Sequence, residues 1–239
     1  NALQELVSQY RQGLHDIDPS LPLAAFADFQ EPNGKVLPSH TVAVELINVI
    51  RPIVAVARYM VFAVMAMHEY PRCLEKLRNA GAGRYRQHFI QEVRRYYPFF
   101  PFLAARVNSD FTWQGYRFKR GWQAILDIYG TNHDAQRWAS PDQFYPERFE
   151  DEPQTFHRFA MIPQGGSEHA TQHRCPGEWI TVALINWAIE KFAQQVRYDL
   201  PPQDLTVDLN VVPARPRSGL IITNVHPIEP QPVTTEENR

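Results

Sequence analysis

The longest apolar stretch of the 239-residue chain limits its possible folds more than any other feature. Residues 39–70 contain no glycine and a single proline, Pro52. The stretch is too long for a strand and predicts one helix of about 30 residues, about 45 Å long. A helix that is apolar nearly all round is expected to run through the middle of a larger body. Pro52, beside Arg51, removes one backbone hydrogen bond and needs an explanation.

A membrane span is the alternative for this stretch. Glu45, Arg51 and Arg58 interrupt it, and its longest uncharged piece, residues 59–67, falls well short of the roughly 20 apolar residues that a span requires. We therefore expect no membrane span.

Charge and cysteine content exclude several classes of protein. The chain has 24 Lys and Arg against 26 Asp and Glu, a net charge of −2, which argues against a nucleic-acid partner. The hydrophobic fraction of 44% is that of a globular protein. Two cysteines, Cys73 and Cys175, exclude a disulfide-dense scaffold, and we expect a reducing, cytoplasmic location.

The remaining pattern predicts a mainly α-helical fold with small β-sheets. Residues 131–178 are rich in turn formers, and an irregular segment of this length is usually functional. The predicted helices are 4–14, 72–80, 84–97 and 177–196, and the predicted strands are 111–113, 116–118, 205–212 and 219–225.

Cys175 is the residue most indicative of chemistry. It follows a loop with Gly165 and Gly166 and directly precedes a helix, whose N-terminus lowers a thiol pKa and favours a metal ligand or a nucleophile. An inert buried cysteine, a zinc site and a Cys–His nucleophilic pair remain alternatives. The zinc ligands would be His157, His169, His173 and Cys175, and the nucleophilic pair Cys175 and His173.

Three motifs in order resemble the haem-thiolate cytochromes P-450: Glu92-x-x-Arg95, Pro146-Glu147-Arg148-Phe149 and His173-x-Cys175-x-Gly177. The resemblance implies the P-450 fold and haem b as cofactor. It makes Cys175 the axial iron ligand. It assigns structural support to Glu92, Arg95 and Arg148, and haem contacts to His173, Arg174 and Arg106.

Two departures narrow the resemblance to one branch. In most of the family the loop before the cysteine begins with a Phe, which is absent here, and this loop is longer. The long helix of the family usually carries an acidic residue followed by Thr at its centre, and residues 48–52 contain no such pair. Arg51-Pro52 at that place, together with residues 173–179, resembles the fatty-acid peroxygenases. That branch implies α- or β-hydroxylation of long-chain fatty acids with hydrogen peroxide and without a redox partner.

The same resemblance gives Arg51 and Pro52 catalytic roles. An arginine in an apolar helix is costly to bury unless a carboxylate pairs with it, and the fatty acid would supply that carboxylate. Pro52 would open room over the haem. The alternatives are an Arg51 paired with Glu45, a reductase-dependent P-450 monooxygenase, and a non-catalytic zinc-binding or interaction module.

We expect three segments along the chain. Residues 1–35 read as a polar lead-in from a missing N-terminal part, residues 36–226 as the C-terminal, haem-binding portion of a single P-450 domain, and residues 227–239 as a polar tail. Such a portion alone is expected to bind haem weakly and to aggregate.

Overall fold

The computed structural model describes residues 2–79, 82–150, 157–172 and 174–228. These residues are mainly helical and carry three two-stranded antiparallel sheets, as the sequence predicts. The helices are α1 (Ala2–Arg11), α2 (Pro22–Ala27), α3 (Ser39–Glu69), α4 (Pro71–Arg78), α5 (Gly83–Tyr96), α6 (Ile128–Asn132), α7 (His157–Ala160) and α8 (Glu178–Glu190). The strands are β1 (Phe102–Arg106), β2 (Phe111–Trp113), β3 (Tyr116–Phe118), β4 (Gln123–Asp127), β5 (Val196–Asp199) and β6 (Thr223–Pro227).

The chain divides into two units, Asn1–Ala57 and Arg58–Arg239. The first unit has a small core to which α1, α2 and the beginning of α3 contribute. Its buried members are Val7, Ala27, Val42 and Leu46. Arg11, at the end of α1, donates two hydrogen bonds to the carbonyl of Ala27, which ties α1 to the end of α2.

Helix α3 confirms the predicted long helix, with 31 residues and Pro52 inside it. Every side chain from residue 62 to residue 67 is buried, as expected for a central helix. The middle of α3 differs from that expectation, because four of its large apolar side chains are 45–68% exposed. They are Ile47, Ile50, Ile53 and Val54.

Helix α3 also meets the length and composition criteria for a membrane-crossing helix. The criterion is weak, since the core helix of a soluble protein meets it as well, and 39% of its most apolar 18-residue window is buried. The absence of a membrane span stays a prediction.

The second unit is organised around α5, which contacts α4 and α8. Aromatic rings fill the space beside it, and Phe62 stacks on Tyr97 with ring centroids 4.9 Å apart. Half of the buried side chains of α5 are charged: they are Glu92, Arg94 and Arg95, beside Phe89, Ile90 and Val93. A helix that buries three charges must present partners to each of them.

The sheets are small and antiparallel. The strands predicted at residues 111–113 and 116–118 are confirmed as β2 and β3, which pair and are joined by Gln114 and Gly115, both at positive φ. Strand β1 pairs with β4 and β5 pairs with β6.

The strand predicted at residues 205–212 is wrong, and the one predicted at residues 219–225 lies a few residues later, as β6 (Thr223–Pro227). In this region the structure describes an isolated bridge between Val207 and Pro216, and the last strand, β6, begins only at residue 223. A side-chain turn explains the difference, because the Asp208 carboxylate accepts a hydrogen bond from the Asn210 amide at 2.8 Å. Pro213 and Pro216 also lack the N–H that a ladder requires.

Candidate active site

Cys175 stands at the junction between an irregular loop and α8. Its amide donates to the carbonyl of Gln164 at 2.9 Å, and its own carbonyl accepts from the amide of Glu178 at 3.2 Å. A bridge between Gly165 and Arg174 closes the loop directly before the cysteine. Gly165 has φ +89°, a backbone conformation that favours glycine. The loop therefore delivers Cys175 to the N-terminus of the 13-residue helix α8.

The surroundings of the sulfur suit a ligand role. Cys175 is a free, half-buried thiol. A Cβ built on Gly177 would lie 3.6 Å from its Sγ, so a glycine there leaves that side of the sulfur uncovered. A helix N-terminus stabilises a thiolate, and a thiolate is the ligand that holds iron in Cys-ligated haem proteins. The donor present and its position thus fit haem iron.

The described residues do not support the zinc alternative. These leave out residue 173 and the side chain of His157, and within them no three His, Cys, Asp or Glu side chains lie together as a metal site. His169 instead places its Nε2 3.0 Å from a carboxylate oxygen of Glu178.

Glu92, Arg95 and Arg148 meet in a buried network. Glu92 and Arg95, three residues apart on α5, form a bidentate ion pair, in which Arg95 Nε and Nη2 each lie 2.8 Å from a carboxylate oxygen of Glu92. Both side chains are fully buried. Arg148 approaches the same carboxylate at 3.1 Å. The amide of Tyr145 adds a further hydrogen bond to Glu92. The carboxylate therefore joins α5 to the Pro146–Phe149 turn.

Arg95 and Arg148 donate their remaining hydrogen bonds to backbone carbonyls of the irregular segment. Arg95 donates to the carbonyls of Asn132, Pro141 and Gln143. Arg148 donates to those of Ala139, Ser140 and Gln143. A segment with little regular structure thus has its carbonyls satisfied by two guanidinium groups. The predicted supporting role stays a prediction.

A second charged network is centred on Glu178, three residues after Cys175, and no sequence motif pointed to it. The Glu178 carboxylate binds Arg94 from α5 and Arg174 from the loop. Burial alone would raise the pKa of the Glu178 carboxyl, but the hydrogen bonds from Arg174 and Arg94 outweigh it and lower the pKa to about 2. Arg174 lies in the loop before α8, so its pairing with Glu178 depends on the conformation of the loop. The contact with Arg94 joins positions 84 residues apart and has no local signal.

Three further residues were predicted to contact the haem, namely Arg174, Arg106 and His173. Arg174 donates to Glu178 and to the carbonyl of Ser167. Arg106 is exposed at the end of β1. His173 lies outside the described residues. Their contacts with haem propionates stay predictions.

Arg51 and Pro52 lie on the exposed middle of α3. Among the described residues no carboxylate forms an ion pair with Arg51, and Glu45, its alternative partner, accepts a hydrogen bond from Asn48 instead. Pro52 has no N–H to donate to the carbonyl of Asn48. A cation is therefore presented among exposed apolar side chains.

Solved structures similar to this chain include two determined with fatty acids. Cytochrome P450EX alpha (CYP152N1) with myristic acid matches with a TM-score of 0.82 and 39% identity over 95% of this chain and 54% of that one. A variant of cytochrome P450 OleT in complex with arachidonic acid matches with a TM-score of 0.81 and 40% identity, over 96% and 53%. The chain thus spans about half the length of these proteins.

Curated relatives are more distant. Geranylhydroquinone 3''-hydroxylase from Arnebia euchroma is 29% identical over 173 residues, which are 70% of this chain and 32% of that protein. Xanthotoxin 5-hydroxylase from Arabidopsis thaliana is 28% identical over 152 residues, 61% of this chain and 27% of that protein. The chain covers about a third or less of these relatives.

A family model confirms the resemblance drawn from the motifs. The model described as Cytochrome P450 matches residues 84–207, which run from α5 through the Glu92 network and the Cys175 loop to the end of α8 and β5. The structural matches agree with that fold. The chain therefore belongs to the cytochrome P450 family.

Proposed function

We propose that this chain is the haem-binding portion of a fatty-acid peroxygenase, which hydroxylates long-chain fatty acids at the α or β carbon with hydrogen peroxide. The observation that carries the proposal is Arg51, a cation without a carboxylate partner among the described residues, set in exposed apolar surface. Two solved structures about 40% identical to this chain hold myristic acid and arachidonic acid.

Binding follows from the chemistry of α3. A fatty acid has one carboxylate and a long apolar tail, and Arg51 offers a planar guanidinium suited to bidentate binding of a carboxylate. Ile50, Ile53 and Val54 offer apolar surface to the tail. The proposed reaction at the α or β carbon requires that Arg51 bind the carboxyl end of the substrate.

The ligand role belongs to Cys175. Its thiolate would hold the iron of haem b, with stabilisation from the N-terminus of α8. When bound, the haem supplies the iron at which peroxide is cleaved and one oxygen is transferred to a C–H bond, with water as the other product. His173 and Arg106 are the residues we assign to the haem propionates.

The middle of α3 also bears on proton transfer. Residues 48–52 contain no Asp, Glu, Ser or Thr, so this part of the helix has no side chain that delivers a proton in the usual manner. A substrate carboxylate held on Arg51 supplies an acid–base group in its place. We therefore infer that turnover needs a carboxylic acid substrate and no redox partner.

An Arg51→Ala variant of the full-length, haem-loaded protein tests the proposal. With myristic acid and hydrogen peroxide we expect kcat/KM to fall at least about tenfold, because the substrate carboxylate loses its cationic hydrogen-bond donor. The matched control is Arg58→Ala, two turns further along α3, which should keep its activity. Full activity of Arg51→Ala would refute the role of the anchor.

The second candidate is a reductase-dependent monooxygenase. It is favoured by the curated relatives, whose names describe hydroxylases of other substrates. Omitting reduced nicotinamide and any reductase separates the two: the peroxygenase retains activity with peroxide alone, and the monooxygenase does not. A zinc module would contain zinc instead of iron on metal analysis.

A further inference from the structure

Glu178 is a buried carboxylate three residues after the candidate iron ligand. It is 7% exposed, in the first turn of α8. Arg174 Nη2 donates to Oε1 at 2.8 Å and Arg174 Nε donates to Oε2 at 2.6 Å. Arg94 Nη2 also donates to Oε1, and His169 Nε2 lies 3.0 Å from Oε2. Glu178 is thus the centre at which three other side chains meet.

The partners of Glu178 lie on the two segments that must stay in register for Cys175 to keep its place. Arg174 directly precedes Cys175, and Arg94 belongs to α5. Arg94 also donates through Nε to the Gln164 side chain at 3.0 Å, and the Gln164 carbonyl accepts the amide of Cys175 at 2.9 Å. The loop is therefore pinned to α5 and to α8 on both sides of the cysteine.

Two arginines share the single carboxylate of Glu178. Arg94 and Arg174 each carry a positive charge, and Glu178 carries the one negative charge that lies between them. Removing the carboxylate would leave two neighbouring guanidinium groups without their shared partner, one of them buried with only 3% exposed. Neither guanidinium group would then be held by Glu178, so the loop would be less restrained. The local charge would become more positive by one.

We propose that Glu178 is a positioning residue for the iron ligand, which fixes the backbone of Cys175 by clamping Arg174 to Arg94 and sets the local charge beside the thiolate. This proposal rests on one part of the proposed function, the assignment of Cys175 as iron ligand. It does not depend on the fatty acid, on peroxide or on Arg51.

The test uses Glu178→Gln in the full-length, haem-loaded protein, because glutamine keeps the shape and removes the charge. The readouts need neither substrate nor peroxide. They are the lifetime of the carbon monoxide band characteristic of thiolate ligation, and the reduction potential of the iron. We expect the band to be lost at least about tenfold faster, since breaking a buried ion pair is strongly unfavourable. The potential should shift to a more positive value.

The matched control is Glu190→Gln, the same chemical change at the other end of α8, where the carboxylate accepts a hydrogen bond from Gln195. It should leave both readouts at the wild-type value. If both substitutions have equal effects, or if Glu178→Gln lowers only the thermal stability with band and potential unchanged, the positioning role is refuted.

A second variant keeps the proposal testable if Glu178→Gln does not take up haem. Arg174→Gln leaves the pair of Arg94 and Glu178 intact and releases only the loop. We expect a shorter lifetime of the thiolate band in this variant, and an unchanged lifetime would refute the proposal. Failure of fatty-acid turnover in the wild type, with these spectral effects present, would refute the peroxygenase assignment and leave the role of Glu178 standing.

Discussion

Helix α5 supports two charged networks that differ in what they hold. The first, centred on Glu92, uses Arg95 and Arg148 to satisfy backbone carbonyls between residues 132 and 143. The second, centred on Glu178, holds side chains of the Cys175 loop. Both bury a carboxylate between two arginines. In our proposal, ion pairs of the same kind secure the fold at Glu92 and position Cys175 at Glu178.

The largest expected effect comes from breaking the first network. Glu92→Gln would leave Arg95 and Arg148 without their shared carboxylate in a fully buried position. We expect the free energy of unfolding to fall by about 3–5 kcal/mol, because an uncompensated buried charge is left behind. Urea denaturation of the haem-loaded, full-length protein measures this loss. A fall below about 1 kcal/mol would mean that the network does not stabilise the fold.

A conservative substitution at two adjacent positions sharpens the comparison. Arg95 makes five hydrogen bonds and Arg94 makes three, and lysine cannot reproduce a planar fork. Arg95→Lys should therefore cost about 2–3 kcal/mol of stability and Arg94→Lys about 1–2 kcal/mol. The order should reverse for the lifetime of the thiolate band, which Arg94→Lys shortens more. If Arg95→Lys had the larger effect on both the stability and the lifetime of the band, the two networks would not have the separate roles proposed for them.

The smallest effect belongs to an exposed ion pair near the first network. Lys76 pairs with Glu147, and the lysine side chain is 51% exposed. Lys76→Ala should change the free energy of unfolding by less than about 1 kcal/mol, because water screens such a pair. Denaturation in parallel with Glu92→Gln gives the comparison, and a loss as large as that of the buried variant would contradict it.

Much of the fold was predictable because it depends on local patterns. The long apolar run of residues 39–70 predicted α3, and the short segments 111–113 and 116–118 predicted β2 and β3. The strand at residues 205–212 was predicted wrongly, and the bounds of β6 were missed, because periodicity does not report the Asp208 turn or the pairing of β5 with β6.

The candidate site was predictable where motifs reach it and not elsewhere. The resemblance to the cytochromes P-450 pointed to Cys175 and to the Glu92 motif, and the structure brings Glu92, Arg95 and Arg148 together. The contact of Arg94 with Glu178 depends on how α5 and α8 pack, which no local pattern encodes. The exposure of the middle of α3 is likewise a tertiary property.

The reduced, carbon monoxide-bound absorption spectrum of the full-length protein tests the central claim most directly. The account predicts the band characteristic of thiolate ligation in the wild type and its complete loss in Cys175→Ala, because Cys175 is the ligand that the loop and α8 present. Cys73→Ala, at the buried second cysteine, should keep the band. Retention of the band in Cys175→Ala would contradict the account.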